Sequence, residues 1–194
     1  MITYIKGKLI EKSPTNAIIE ANGIGYFLNI SLNTFSKISD EENVLLYTHL
    51  SIREDAHTLF GFINKLEREI FKLLISVSGV GPSIARTMLS SMTSEQIQQA
   101  IATEDIPTIQ SVKGIGAKTA QRVIIDLKDK ILKTYTISED SIGTSYNTIK
   151  EEALSALEVL GYTKRQVDKL IQKIMQESPS ISLESLIKQA LKNL

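Results

Sequence analysis

The sequence predicts a multi-domain α and β chain: an N-terminal five-stranded β-barrel, a central helical domain with two helix–hairpin–helix motifs, and a C-terminal three-helix module. Three observations predict it. Residues 1–63 alternate β-branched and aromatic runs with turn residues. The ten residues from Ser76 to Ala85 are nearly repeated from Ser111 to Ala120, each copy between two apolar helical runs. Residues 149–194 carry three short amphipathic stripes, each with a start or stop signal.

In the first region the expected strands are Met1–Ile10, Thr15–Ala21, Gly25–Ser31, Val44–Ile52 and Thr58–Ile63. Ser13–Pro14 and Asn22–Gly23 separate the early ones, and Asn-Gly is the strongest short hairpin signal. A polar stretch from Ser36 to Asn43 follows the third. Five short strands in so few residues favour closure over an open sheet with bare edges, and the oligonucleotide-binding (OB-like) barrel is one candidate.

In residues 64–134, Leu66, Ile70, Leu73, Leu74 and Val77 keep helical spacing into the first repeat. Thr93 and Gln96 form a capping-box pattern for a joining helix, and Val123, Ile124, Leu127 and Ile131 continue the helix after the second repeat. Residues 135–148 mix Ser, Thr, Gly and acids without a period; a linker is expected there, with a surface loop as the alternative. In residues 149–194 the first helix carries Ala153, Leu154, Leu157 and Leu160 and stops at Gly161. Thr163 with Gln166 caps the second, and Ser182 the third.

The repeat carries the functional argument. Gly79 and Gly81 match Gly114 and Gly116, with Val80 or Ile115 between them. Glycines supply φ > 0 and remove Cβ atoms that would hold an anion away. The intervening aliphatic residues are expected to point inward as anchors. Such a turn gathers backbone N–H groups at a helix start, which is a site for an anion, and two of them suggest a polyanion. Pro82 stands where a helix would begin, a position that does not need its N–H. From Ile70 to Ser94 the only charged side chains are Lys72 and Arg86, and from Ile106 to Ile125 they are Lys113, Lys118 and Arg122. Both hairpins therefore lack carboxylates in a chain whose formal net charge is zero. The competing reading, that each Gly-aliphatic-Gly only ends a helix, remains open for either copy alone.

Several function classes lose support. No apolar run approaches the roughly 20 residues of a membrane span, and Met1–Lys6 reads as the start of a strand rather than a signal peptide. Cysteine is absent, which removes disulfide and thiolate chemistry and suits a cytosolic protein. Gly114–Thr119 is not a P-loop, because Ala117 rather than Gly precedes Lys118 and position 111 is Ser. With His49 and His57 as the only histidines, no metal site and no cofactor are expected. Glu54, Asp55 and His57 crowd one turn, which reads as a solvated acidic turn or as part of a nuclease site. From the residues alone, a structure-selective repair nuclease or glycosylase and a scaffold with plain glycine turns both remain alternatives to a DNA-binding subunit.

In this order the parts resemble the RuvA family, the Holliday-junction-binding subunits of the bacterial RuvAB branch-migration machine. The resemblance spans essentially the whole chain. It is carried by Arg53–Phe62 (Arg-Glu-Asp-Ala-His-Thr-Leu-Phe-Gly-Phe), Gly79–Ala85 (Gly-Val-Gly-Pro-Ser-Ile-Ala), Gly114–Arg122 (Gly-Ile-Gly-Ala-Lys-Thr-Ala-Gln-Arg) and Glu152–Tyr162. It implies domains at 1–63, 64–134 and 149–194, the last UBA-like, joined by a linker at 135–148.

It also implies a cytoplasmic, non-catalytic homotetramer, one or two to a junction, that grips four-way junction DNA for recombination and repair. Its partners would be a hexameric RuvB-type ATPase and a junction-resolving nuclease. The implied backbone contacts are Gly79, Val80, Gly81, Ser83, Gly114, Ile115, Gly116, Lys118, Thr119 and Arg122. Glu54 and Asp55 become an acidic pin at the junction centre, and Leu157, Leu160 and Tyr162 become contacts for the motor. One departure stands out: Ser83 occupies a place where many family members carry Lys, so the first hairpin leans more on its backbone.

Overall fold

The computed structural model describes residues 2–39, 42–139, 145–178 and 181–194. Five strands, β1 (Tyr4–Ser13), β2 (Asn16–Ala21), β3 (Ile24–Ile30), β4 (Asn43–Ile52) and β5 (His57–Phe62), close a barrel in the order β1-β2-β3-β5-β4. Closure comes from a short parallel pairing of β3 with β5, Asn29 opposite Phe60 and Ile30 opposite Gly61. Asn22 and Gly23 both take positive φ, +52° and +78°, as a tight hairpin of this kind demands. β1 bulges between Leu9 and Glu11, which lets one long strand pair with β2 at one end and β4 at the other. Ile5, Ala17, Ile19, Leu28, Ile30 and Leu46 fill the interior.

A helix that the sequence pattern does not announce, α1 (Leu32–Lys37), lies between β3 and β4, with Ser31 capping it through Thr34 N–H. It is held by a buried carboxylate. Glu67 accepts hydrogen bonds from Ser31 Oγ (2.6 Å), Thr34 Oγ1 (2.7 Å) and the Ile63 N–H (3.2 Å) while only 3% exposed. A carboxyl group in that position is tolerable because its oxygens are satisfied by donors that water would otherwise supply.

The central helices are α2 (Lys65–Ile75), α3 (Pro82–Ser91), α4 (Ser94–Ala102), α5 (Ile106–Gln110) and the long α6 (Ala117–Glu139). The capping box of α4 is present in full: Gln96 N–H donates to Thr93 Oγ1, and Thr93 N–H donates to Gln96 Oε1. Phe71 of α2, fully buried, touches the rings of Phe60 (5.0 Å), Phe62 (4.9 Å) and His49 (5.4 Å) from the barrel strands. Barrel and helices accordingly form one compact unit, Met1–Thr136, although the barrel keeps a core of its own. Burying a phenylalanine this completely contributes about 2–3 kcal/mol.

The second unit, Ile137–Leu194, contains α7 (Ser145–Val159), α8 (Lys164–Glu177) and α9 (Leu183–Asn193) around Ala153, Leu157, Val167, Ile171 and Leu186. The expected linker at 135–148 is corrected at both ends. Residues 135–139 belong to α6 and 145–148 to α7, leaving 140–144 outside the described residues. Thr and Ser lower helix propensity by only a few tenths of a kcal/mol each, so a stretch without a period can still continue a helix. A second correction concerns Thr163. It stands at the N-cap of α8, but its hydroxyl donates to Gln166 Oε1 (2.5 Å) instead of accepting from the helix backbone. Ser182 does cap α9, accepting from Ser185 N–H.

Candidate nucleic-acid interface

The two glycine hairpins have the same backbone. Gly79 and Gly114 take φ of +94° and +95°. Val80 N–H donates to Val77 O (3.0 Å) and Ile115 N–H to Val112 O (3.1 Å). The first helical bonds then run from Ala85 N–H to Gly81 O (3.0 Å) and from Ala120 N–H to Gly116 O (2.9 Å). Val80 and Ile115 point inward, only 4% and 6% exposed, and fix each turn to the core. Their N–H groups are used inside the turns, so the donors that face outward begin at the glycines that follow.

The four glycines divide their work. Gly79 and Gly114 are needed for their left-handed backbone. Gly81 and Gly116 have no positive φ, and a Cβ built on either would meet nothing within 4 Å. Their bareness leaves the space in front of each helix start open. By helix geometry the first-turn N–H groups of α3 and α6 have no intrahelical acceptor, and no side chain caps α3. An anion seated there would meet aligned donors and the positive end of the helix dipole.

The hairpins also pack reciprocally. A Cβ on Gly79 would lie 3.8 Å from Thr119 Oγ1, and one on Gly114 would lie 3.8 Å from Ile84 Cγ1. Ile84 and Thr119 are equivalent positions of the repeat, so each glycine turn rests against the first turn of the other unit's helix, a pseudo-two-fold arrangement. Arg122 strengthens it, its Nη1 reaching the Ser78 carbonyl at 3.5 Å. Lys118, Arg122 and Ser83 are exposed, and Thr119, the partner of Ile84 in the repeat, is half-buried. The two units are unequal in donors. Pro82 removes one N–H from the start of α3, and Ser83 stands where the second unit has Lys118.

Glu54 and Asp55 occupy the exposed link between β4 and β5, closed by Arg53 N–H donating to Ala56 O (2.9 Å). Among the described residues no group of three or more His, Cys, Asp or Glu is placed to hold a metal ion. His57 opens β5, exposed, while His49 on β4 lies against Phe71. Desolvation lowers the His49 pKa, helped by the positive charges of Lys72 and Arg68 and opposed by Glu69. Its buried Nδ1 has no hydrogen-bond partner.

In the C-terminal module one expectation is corrected. Leu157 is fully buried and cannot meet a partner, because at its place on α7 it faces α8 and α9 within the bundle core. Leu160 is 57% exposed, and its neighbour Val159, which helical spacing alone does not single out, is 85% exposed. Together with Ala156, Ser155, Glu152 and Leu183 they line a shallow apolar groove. Tyr162 is half-buried against the same core. Among the described residues no helix is long and apolar enough to cross a membrane.

Comparison with known proteins gives three family matches that together run through nearly the whole chain. Residues 1–61 match the RuvA N terminal domain, residues 71–129 the SAM-like helix-hairpin-helix tandem, and residues 148–194 the RuvA C-terminal domain. Among curated proteins, the Holliday junction branch migration complex subunit RuvA of Christiangramia forsetii is 62% identical over 194 residues, covering 100% of both chains. The proteins of the same name from Flavobacterium psychrophilum and Cytophaga hutchinsonii are 57% and 51% identical, covering 100% and 99% of each chain.

Proposed function

This chain belongs to the RuvA family, and from that premise we propose that it binds four-way DNA junctions without regard to sequence and presents their arms to a RuvB-type hexameric ATPase for branch migration. The observation that supports this reading is the reciprocal packing of two equivalent glycine hairpins, which holds the starts of α3 and α6 side by side in one compact unit. Backbone N–H groups, Ser83, Thr119, Lys118 and Arg122 address phosphates and read no base edges. A protein acting while the crossover moves through any sequence needs that property. Each phosphate neutralised lowers log K by about 0.9 per log unit of salt.

The working form is a cytoplasmic homotetramer, one or two of which enclose a junction, with a junction-resolving nuclease joining the larger complex. Four copies of the Glu54–Asp55 turn then meet near the crossover. Their repulsion of phosphates favours strand separation there and disfavours continuous duplex across the centre. The chain itself performs no catalysis; the motor supplies ATP hydrolysis. The apolar groove of Val159, Leu160 and Leu183 is the docking face for that motor, with Tyr162 beside it.

An electrophoretic shift with labelled junction DNA, Mg²⁺ and the purified full chain tests this. A retarded complex with intact strands is expected, strongest for the junction and weak for plain duplex. Cleaved strands would make the protein an enzyme, and no shift at low salt would remove DNA binding. Glu54→Gln with Asp55→Asn is expected to raise duplex binding towards junction binding; unchanged selectivity would take the pin out of the mechanism.

A further inference from the structure

The inequality of the two hairpins has a counterpart in the fold, and the inference drawn from it rests on the junction-binding reading. Between the start of α3 and the β4–β5 link lies a cleft of ≈180 Å³ lined by Ser83 and Arg86 of the helix, Arg53 and Asp55 of the link, and Asn29 of β3. Arg86 is one helical turn beyond Ser83. Its Nη1 donates to Asn29 Oδ1 at 2.9 Å, with a longer contact to Thr15 O at 3.4 Å. The guanidinium has five N–H donors in a rigid fork. Both of these bonds use Nη1, so among the described residues Nε–H and the Nη2 hydrogens remain for an acceptor in the cleft.

We propose that Arg86 is the phosphate-binding cation of the first hairpin, a tethered arginine doing from one turn away what Lys118 does for the second. Three features support it. The position equivalent to Lys118 is Ser83, and Pro82 has already removed a backbone donor, so the first anion site is short of both charge and hydrogen bonds. Arg86 is the charge nearest in sequence to that site and shares one cleft with Ser83. Its tether to Asn29 holds the fork in place before DNA arrives, which reduces the side-chain entropy lost on binding.

The register differs between the repeats. Arg86 is equivalent to Gln121, whereas Arg122, equivalent to Thr87, braces the hairpins through Ser78 O. The same cleft also holds Asp55, next to Arg53 on the link: Arg86 draws a strand in along the hairpin side, and the carboxylate turns it away on the side of the pin. The strand is thereby directed along the arm and away from the centre.

The test compares Arg86→Gln, Lys118→Ala and the double variant Arg86→Gln/Ser83→Lys with the wild-type full chain, measuring junction affinity from low to moderate salt. Arg86→Gln is expected to weaken junction binding about tenfold or more and to flatten the plot of log K against log salt by about 0.9 for each phosphate no longer neutralised. Ser83→Lys should restore both affinity and slope, which a merely structural role would not allow. A melting curve of each variant separates charge from bracing: a lower melting temperature that Ser83→Lys leaves uncorrected, with binding unrescued, would make Arg86 a barrel brace and overturn the proposal. So would wild-type affinity and slope in Arg86→Gln while Lys118→Ala loses both, and in that case the junction-binding reading itself would stand. Failure of the wild type to bind junctions would remove both.

Discussion

Gly79→Ala and Gly81→Ala add the same methyl group two residues apart, yet they are expected to fail in opposite ways. Gly79 has φ of +94°, and the nearest atom to an added Cβ is Thr119 Oγ1 at an ordinary 3.8 Å, so the penalty there is one of backbone conformation and not of crowding. Forcing an L-residue into that region costs about 1–2 kcal/mol. Gly81 has φ −86° and ψ 169°, with nothing within 4 Å of the added carbon. Alanine there gains about 0.4–1 kcal/mol by restricting the unfolded chain. It loses a similar amount because alanine is a poorer N-cap than glycine. The two effects nearly cancel, leaving stability unchanged to within about 0.5 kcal/mol.

The methyl of Gly81→Ala, however, occupies the space an anion must enter to reach the first-turn N–H groups of α3. Losing one charge-assisted hydrogen bond costs about 1.5–3 kcal/mol, or roughly tenfold to a hundredfold in affinity. Gly79→Ala should therefore melt lower, while Gly81→Ala melts like wild type and binds junctions poorly. Gly114→Ala and Gly116→Ala should repeat the pattern, since φ is +95° at the first and the second has open space. Thermal melting followed by circular dichroism and a junction titration at fixed salt measure the two effects separately. Wild-type affinity in both Gly81→Ala and Gly116→Ala would show that no phosphate approaches these glycines, and the hairpin grip would have to be abandoned.

Two further outcomes follow from the geometry. Leu160→Asp should leave melting and junction binding intact while abolishing motor-dependent branch migration, because Leu160 is exposed, whereas Leu157→Asp should unfold the C-terminal module by burying a charge in its core; equal stability of the two variants would contradict that assignment. His49 has a folded pKa lowered by desolvation and nearby cations, so between that lowered value and the unfolded pKa of about 6.5 the unfolded chain binds more protons. Stability is then fully present above about pH 6.5 and lost as the pH falls through that window; His49→Leu should flatten this part of a melting-temperature profile against pH, and an unchanged profile would exclude His49 as its source.

What could be read from the sequence was local. The Asn22–Gly23 turn, the Thr93–Gln96 capping box, Pro82 at the first position of α3 and the twin glycine turns each depend on a few adjacent residues. The interactions that could not be read join distant positions. Glu67 meets Ser31 and Thr34 across more than thirty residues, and Arg86 meets Asn29 across 57. Glu67 on its own looks like one more charge in the first turn of a helix; only closure of the barrel brings it under α1. The burial of Leu157 and the exposure of Leu160 have a related cause. Helical spacing places Leu157 and Leu160 on one stripe, but α7 ends at Val159, and the chain turning at Gly161 (φ +99°) takes Leu160 off the buried face.

A chain with no net charge is at first sight an unpromising ligand for DNA, and the hairpins explain why it need not be basic. A lysine free in solvent gives up about 2 kcal/mol of side-chain entropy when it is pinned to a phosphate. A backbone N–H at the start of α3 or α6 gives up almost nothing, because burial of Val80 and Ile115 has already fixed the turn during folding. Rigid donors of this kind need only a few cations beside them, and two of those present are themselves restrained: Arg122 by Ser78 O and Arg86 by Asn29. Binding energy placed in fixed backbone geometry is also indifferent to base sequence. On the proposed reading, the acids left over by so small a demand for positive charge are then available to oppose DNA where it must not lie flat, at Glu54 and Asp55.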